Sequence, residues 1–560
     1  MNAKPPRKRS LRGANVFLAV AAVLLASLYL LMELPLRSAR EEWRQDRPAA
    51  ALDTLRSWRR LRLRPSDFDD GIAVSLLTLG RLADADPYLE RLKKRPPVVR
   101  PFLAKDEVAR VLVSRGRYEE FLRFEAAAKH HVQSSDLPLY RAAAQLGVGR
   151  INDASMTFAK VKKDDVDGEK FDALRMAIDE RKKGLFTLVF DRGGKAIAQY
   201  STANNDLVAV NRDFAGLVER EAGKLSIENQ LQQLGTASSL ETTLDAQVQR
   251  AAIEALGARR GGVVVIDIES NEILALASNT PGGNSNLAME TEFEPGSIVK
   301  VLTQLAAVEN GMAIANLFPQ ECKGFIEIEK RQFFDWALHG KLATINDAMA
   351  VSCNLAFADI GRKLGREKEL AFFRSAGFGS VVDLGMMKAP LGRVRRPFYT
   401  EFELATASVG LEHETVNALH LAMLARMIAA GGELADPLLL RGRRSLLGEQ
   451  VPLRVASSPV RVVSANSAKA AVESMTAVVT NPRGTGRRAA VEGTTIAMKT
   501  GTAGSSSPAY DALVMAFTPV DKPKYAIGII VQHGGPAEYV GSKIVNALVE
   551  SLVAKRASGS

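Results

Sequence analysis

The chain has 560 residues, with 74 Lys and Arg against 63 Asp and Glu and a formal net charge of +11. That length exceeds one ordinary domain and points to two to four, with enough apolar material for a large core. The charge is modest and no nucleic-acid motif accompanies it. The six histidines show no metal-ligand spacing. The two cysteines, Cys322 and Cys353, leave a disulfide open without requiring one.

Residues 1–14 form a basic tail with Lys4, Arg7, Lys8, Arg9 and Arg12 and no acid. The run VFLAVAAVLLASLYLLM (Val16–Met32) then carries no charge, at the short end of bilayer-spanning length. It ends in MELPLRSAREE, without a small-x-small cleavage site. Residues 15–36 are therefore expected to be an uncleaved transmembrane signal anchor. The basic flank places the N-terminus in the cytoplasm and the rest of the chain outside.

From 40 to 182 the pattern is helical. GRLADA starts at Gly80, GRYEEF at Gly116 and GRINDA at Gly149, with DRPAAA at Asp46 as an earlier copy, so the starts lie 34, 36 and 33 residues apart. This period, with a Gly-Arg turn between helices, resembles tetratricopeptide helix pairs. The resemblance implies a concave surface for a protein partner. Residues 183–239 open with LFTLVFDRGGKAIAQYS, a strand, a turn at Gly193-Gly194 and a returning strand; the segment is expected to be a small linker module.

From 240 to 556 an amphipathic helix leads into two apolar strands in GGVVVIDIESNEILALAS. A long helical stretch follows, then three strands in TTIAMKTGTA, DALVMAFTP and YAIGIIVQHG and a closing helix. The expected class is α+β: one antiparallel sheet covered by helices, in which the first and last segments meet. HETVNALH begins like a zinc-protease helix, but His413 and His420 are seven apart rather than four, so both are expected to be structural.

The chemistry begins at FEPGSIVKVLTQLAAVENG (Phe293–Gly311). A serine hydroxyl needs a base to become a nucleophile at neutral pH. Pro295 and Gly296 make a turn, and Ser297 then opens a helix, where free backbone N–H groups favour negative charge. Three residues on, Lys300 returns to the same face, and burial lowers a lysine pKa enough to make it a proton acceptor. A lysine snorkelling from a core helix is the bland alternative, and SIVK alone does not exclude it. Two further elements follow in order: SCN (Ser352-Cys353-Asn354) and KTGT (Lys499–Thr502). Ser-x-x-Lys, Ser-x-Asn and Lys-Thr-Gly in that order are the signature of penicillin-binding proteins and serine β-lactamases.

From about 240 to 555 the chain resembles the transpeptidase domain of penicillin-binding proteins, and SCNLAFADIGRKLG is most similar to the class B enzymes. The resemblance implies a transpeptidase/β-lactamase-like fold. It gives Ser297, Lys300 and Ser352 catalytic roles, and Asn354, Lys499, Thr500, Gly501 and Thr502 substrate-binding ones. Ser352 would relay the proton to the leaving amine, and Lys499 would attract the substrate carboxylate. The backbone N–H groups of Ser297 and Thr502 would form the oxyanion hole. The implied reaction is a D,D-transpeptidation of peptidoglycan stem peptides through a Ser297 acyl-enzyme, blocked covalently by β-lactams, with no metal or cofactor. It would take place on the outer side of a bacterial inner membrane. No glycosyltransferase block with a Glu-Asp pair occurs between 40 and 240, so a membrane glycosyltransferase partner is implied. A β-lactamase is disfavoured because EFELA (Glu401–Ala405) has alanine where that family has asparagine. A D,D-carboxypeptidase shares all three motifs. A non-catalytic sensor or scaffold stays open because the family's pedestal motif is reduced to FDRGG, and because VGLEHETVNALHLA and YDALVMAF depart from its pattern.

Overall fold

The computed structural model describes residues 11–558 except 61–65, 95–100, 129–135, 204–205, 281–285, 386, 453–457, 505–509 and most of 219–238. The chain divides into two compact units, Met1–Lys183 with Arg444–Val451, and Gly184–Arg443 with Pro452–Ser560.

The first unit is built of helices. Leu11–Arg44 is followed by Pro48–Arg60, then by the pairs Ser66–Thr78 and Leu82–Lys93, Lys105–Ser114 and Tyr118–Ala127, Leu137–Gly147 and Ile151–Phe158, and finally Gly168–Lys182. Each pair turns on one residue in the left-handed region: Asp46, Gly80, Gly116 and Gly149, with φ of 63, 73, 70 and 80°. These are the four repeat starts of the sequence. A helix commonly ends on such a residue, and glycine adopts it without Cβ strain. Leu55, Ile72, Leu112, Phe121 and Phe124 are fully enclosed between the helices. Among the described residues no helix is long and apolar enough to cross a membrane. The expected anchor, residues 15–36, falls in helix Leu11–Arg44, but the side chains of 11–18 and of most of 25–32 lie outside the described residues.

The second unit is organised by a five-stranded antiparallel sheet. Its strands are β1 (Gly261–Asp267), β2 (Ile273–Asn279), β3 (Ala497–Ala503), β4 (Asp511–Thr518) and β5 (Tyr525–Val531), in the order β3-β4-β5-β1-β2. β5 pairs with β1 from Tyr525↔Asp267 to Val531↔Gly261, so the first and last strands meet as the pattern implies. GGVVVID and YAIGIIV are buried almost throughout because helices cover both faces. Helix Ala418–Ala429 lies so close to β5 that a Cβ on Gly528 would overlap Ala418 O. On the opposite face, helix Val540–Ser558 brings Gly541 against Val514 of β4.

Helix Val299–Glu309 packs against Asn354–Leu364, Arg366–Ser375 and Ala465–Thr480 and is buried from Val299 to Ala307. Its single lysine is therefore enclosed. Of residues 183–239, expected as a separate module, the described ones from Gly184 onward fall in the second unit. There the strands Leu440–Arg444, Ser239–Thr242, Leu185–Phe190, Ala196–Ser201 and Asp206–Ala209 lie in that order in a second sheet. The hairpin turn is held by Asp191 Oδ1, which accepts from the Gly193 and Lys195 N–H groups at 2.9 and 2.8 Å.

Candidate active site

The turn before the buried helix is fixed by backbone contact. Gly296 has φ of 53°, and its N–H donates to Gly410 O at 2.9 Å. A Cβ at Gly296 would lie 2.6 Å from Thr502 O. A Cβ at Gly501 would overlap Pro295 O. These two glycines let β3 lie directly against the turn, which sets Ser297 beside Thr502. Ser297 follows in the short 3-10 turn Gly296–Ile298 and remains partly exposed.

Lys300 Nζ sits at the centre of the site. It is 2.9 Å from Ser297 Oγ, 2.7 Å from Asn354 Oδ1, 2.6 Å from Ser352 O and 3.2 Å from Ser352 Oγ. Burial pushes its pKa down to about 8, against the pull of Asp335. Ser352 lies at the end of helix Ile345–Ala350 with φ of 58°. This left-handed backbone turns both its carbonyl and its hydroxyl toward Lys300. Ser352 Oγ also accepts from Lys499 Nζ at 2.8 Å, so it bridges two lysines.

Of the residues expected from sequence, Ser297, Lys300, Ser352, Asn354 and Lys499 thus meet in one hydrogen-bonded cluster. Lys499 is fully buried and donates to Ser352 and to Thr500 O. Burial and the neighbouring Lys300 hold it well below its ordinary pKa. Thr500 turns its hydroxyl away from this cluster, 2.7 Å from Thr485 Oγ1. Thr502 Oγ1 accepts from the Ala537 N–H at 3.0 Å. Both follow from strand alternation, which puts Lys499 and Gly501 on one face and Thr500 and Thr502 on the other.

Sequence reasoning missed the support behind the Ser-x-Asn turn. The Asp335 side chain is fully enclosed. It accepts from the Asn354 N–H at 3.1 Å, the Trp336 N–H at 2.8 Å, the Cys353 thiol at 2.9 Å and the Cys322 thiol at 3.2 Å. Burial would raise its pKa, but His339, Lys300, Cys353 and the Asn354 N–H together hold it well below the usual carboxylate range. The Trp336 indole N–H is shared between Val351 O and Ser352 O, each at 3.2 Å. Both thiols are free. Cys322, Asp335 and His339 each place a ligand atom within 4.8 Å of the others, a donor set of the kind zinc takes, although the sequence spacing suggests no metal. His413 and His420 are structural: His420 is buried, its Nε2 is 2.9 Å from Ala376 O, and burial pushes its pKa down to about 4.

Comparison with known proteins accords with this geometry. The penicillin binding protein transpeptidase domain matches residues 261–554, just over half of the chain. The peptidoglycan D,D-transpeptidase PbpA of Mycolicibacterium smegmatis is 26% identical over 340 residues, covering 53% of this chain and 68% of that protein. The peptidoglycan D,D-transpeptidase MrdA of Acinetobacter baumannii is 25% identical over 408 residues, covering 60% and 59%. Among the first curated relatives the chain spans 50 to 68% of their own length. The crystal structure of PBPA from Mycobacterium tuberculosis superposes with a TM-score of 0.57 at 20% identity, covering 66% of this chain and 99% of that one, a likeness of fold. With the three motifs gathered around one buried lysine and the domain matched over most of the second unit, the chain belongs to the penicillin-binding protein transpeptidase family.

Proposed function

We propose that the chain is a peptidoglycan D,D-transpeptidase with Ser297 as nucleophile and Lys300 as base. The observation that carries this is a proton count at Lys300 Nζ. Two of its neighbours, Ser352 O and Asn354 Oδ1, can only accept. A neutral amine has two N–H bonds, and these satisfy both. Its lone pair is then left for the Ser297 hydroxyl at 2.9 Å, the arrangement a general base requires.

In the proposed reaction Ser297 Oγ attacks the carbonyl of the D-Ala-D-Ala bond as Lys300 takes its proton. The developing oxyanion meets the backbone N–H groups of Ser297 and Thr502. Each such donor is worth about 3 kcal/mol. Ser352 Oγ, between Lys300 and Lys499, passes the proton to the departing D-alanine nitrogen. Lys499 and the outer edge of β3, the end strand of its sheet, receive the stem peptide, with Asn354 turning an amide donor to it. An amine from a neighbouring stem then takes the acyl group by the reverse proton path, forming a crosslink and freeing Ser297.

Among the described residues Lys499 has no acidic partner in this cluster, and burial with Lys300 nearby holds its pKa well below the ordinary lysine value. A terminal carboxylate arriving beside it would favour the charged form and so strengthen the attraction between the two. The anchor proposal rests on the uncharged run Val16–Met32, whose Val20, Val23 and Leu24 are exposed on helix Leu11–Arg44. It would leave the catalytic domain outside the cytoplasmic membrane. A tetratricopeptide-like role for residues 40–182, with a protein partner, rests on the four hairpins and their shared turn. A membrane glycosyltransferase would supply the glycan strands.

Incubating the protein with a donor pentapeptide and an amine acceptor separates the alternatives by product mass. Crosslinked dimer with release of D-alanine is expected. Release of D-alanine with only the trimmed tetrapeptide would mark a carboxypeptidase, and no release from protein that β-lactams acylate would mark a sensor.

A further inference from the structure

The helix that carries Ser297 and Lys300 continues into a second buried polar cluster. Thr303 lies three residues beyond Lys300, on the same side of the helix. Its hydroxyl is 3.0 Å from Glu369 Oε1. Ser408 Oγ is 2.8 Å from the other oxygen, Glu369 Oε2. Thr303, Ser408 and Glu369 are all fully buried. Gly361 makes the room, since a Cβ there would overlap Ser408 Oγ. Two residues past Ser408, Gly410 O accepts the Gly296 N–H at 2.9 Å. One carboxyl oxygen of Glu369 is therefore tied to the nucleophile helix, and the other to the segment that holds the residue before the nucleophile.

The proton count gives this cluster two states. Each hydroxyl has one proton and two acceptors within reach: Glu369 or Ser408 O (2.9 Å) for Thr303, and Glu369 or Leu404 O (2.7 Å) for Ser408. An ionised Glu369 accepts both protons, one on each oxygen. A protonated Glu369 must donate instead, so one hydroxyl turns its proton to a carbonyl and one tie is reversed. Resting on Ser297 as the nucleophile, we propose that Glu369 is a positioning residue for acyl transfer, its ionised carboxylate clamping the Ser297 helix to residues 408–410.

The groups that face Glu369 are Thr303 from the nucleophile helix, Ser408 from the segment after helix Glu401–Ala407, and the buried carboxyl of Glu414, itself near Glu294. Neither carboxyl oxygen of Glu414 has a hydrogen-bond partner from another residue among the described residues. No basic side chain pairs with Glu369 or Glu414 among the described residues. Val416, two residues beyond Glu414, exchanges both backbone hydrogen bonds with Phe293 at 2.8 Å, four residues before Ser297. Burial pushes Glu369 up to about 7, within the working pH range, and burial with Glu369 nearby holds Glu414 well above the usual carboxylate value. A folded value above the unfolded one means stability that is complete below the unfolded pKa and lost as pH rises through about 7. Ionisation thus weakens the fold while it tightens the tie to Ser297.

Glu369→Gln keeps the shape and removes the ionisation. Melting temperature and the rate of acylation by a fluorescent penicillin are measured from about pH 5.5 to about pH 9. Above pH 7 the variant should melt about 2–4 °C higher than wild type yet acylate about tenfold more slowly. The wild-type rate limb near pH 7 should be absent, and the Lys300 limb near pH 8 should remain. Thr303→Val, which removes one tie and leaves Glu369 in place, should also slow acylation about tenfold and serves if the first variant does not fold. Equal rates in wild type and variant, or a rate loss that only follows a fall in melting temperature, would overturn the proposal alone. Wild-type protein that is folded but not acylated would overturn Ser297 as nucleophile and the clamp with it.

Discussion

Lys300→Met should lower the rate of acylation by a fluorescent penicillin about 10³-fold, within the range general-base catalysis supplies. Among the described residues, the one base within hydrogen-bond reach of Ser297 Oγ is Lys300 Nζ at 2.9 Å; Lys499 bonds to Ser352 instead. The loss should not come from unfolding. Burial lowers the folded pKa of Lys300 to about 8 from 10.5. A depressed folded value gives stability that is present above the unfolded pKa and lost as pH falls through about 8. At pH 7 the lysine is therefore held mostly charged at a cost to the fold, and methionine removes that cost while leaving Asn354 Oδ1 with one donor fewer. These effects oppose each other, so the melting temperature should stay within about 4 °C of wild type. The wild-type rate should rise with pH through about 8 as the amine becomes neutral, and that limb should vanish in the variant. A variant that retains the limb would remove Lys300 from the base role.

Gly296→Ala should be nearly as damaging to the rate, for a geometric reason. The residue has φ of 53°, and a left-handed backbone costs an L-residue roughly 1–2 kcal/mol. The added Cβ would also press to 2.6 Å on Thr502 O, so either the turn or β3 must shift. A displacement of about 1 Å at a reacting atom costs roughly 10² in rate, and acylation should fall by about that much. Gly311→Ala is the control. It lies just past the end of the same helix with φ of 76° and nothing within 4 Å of its Cβ. It should lower the melting temperature through backbone strain but leave the acylation rate unchanged. Similar rates for both variants would mean that contact between the turn and β3 does not place the nucleophile.

The sequence was most informative where chemistry and backbone geometry repeat locally. The three-residue step from Ser297 to Lys300 on one helix was readable because a helix returns to its own face. Four of the five central strands were readable from their apolar runs and the fifth, AMKTGTA, from the short apolar lead into its motif, and Gly80, Gly116 and Gly149 marked turns because each takes positive φ. What stayed hidden depends on partners distant in the chain. Asp335 supports the Ser-x-Asn turn from a segment with no spacing rule relating it to Cys353. Glu369 joins Thr303 to Ser408 across 66 and 39 residues. The buried setting of Lys499, bonded to Ser352 across 147 residues, could not be read from KTGT, which suggested a cation waiting for substrate. The short segment Arg444–Val451 groups with the helical unit, and no shift in its composition announces that.

Mass mapping after incubation with a β-lactam tests the central claim most directly. One covalent adduct is expected, on the peptide that contains Ser297, with complete loss of labelling in folded Ser297→Ala. An unlabelled but folded wild-type protein, or an adduct that persists in Ser297→Ala, would contradict it.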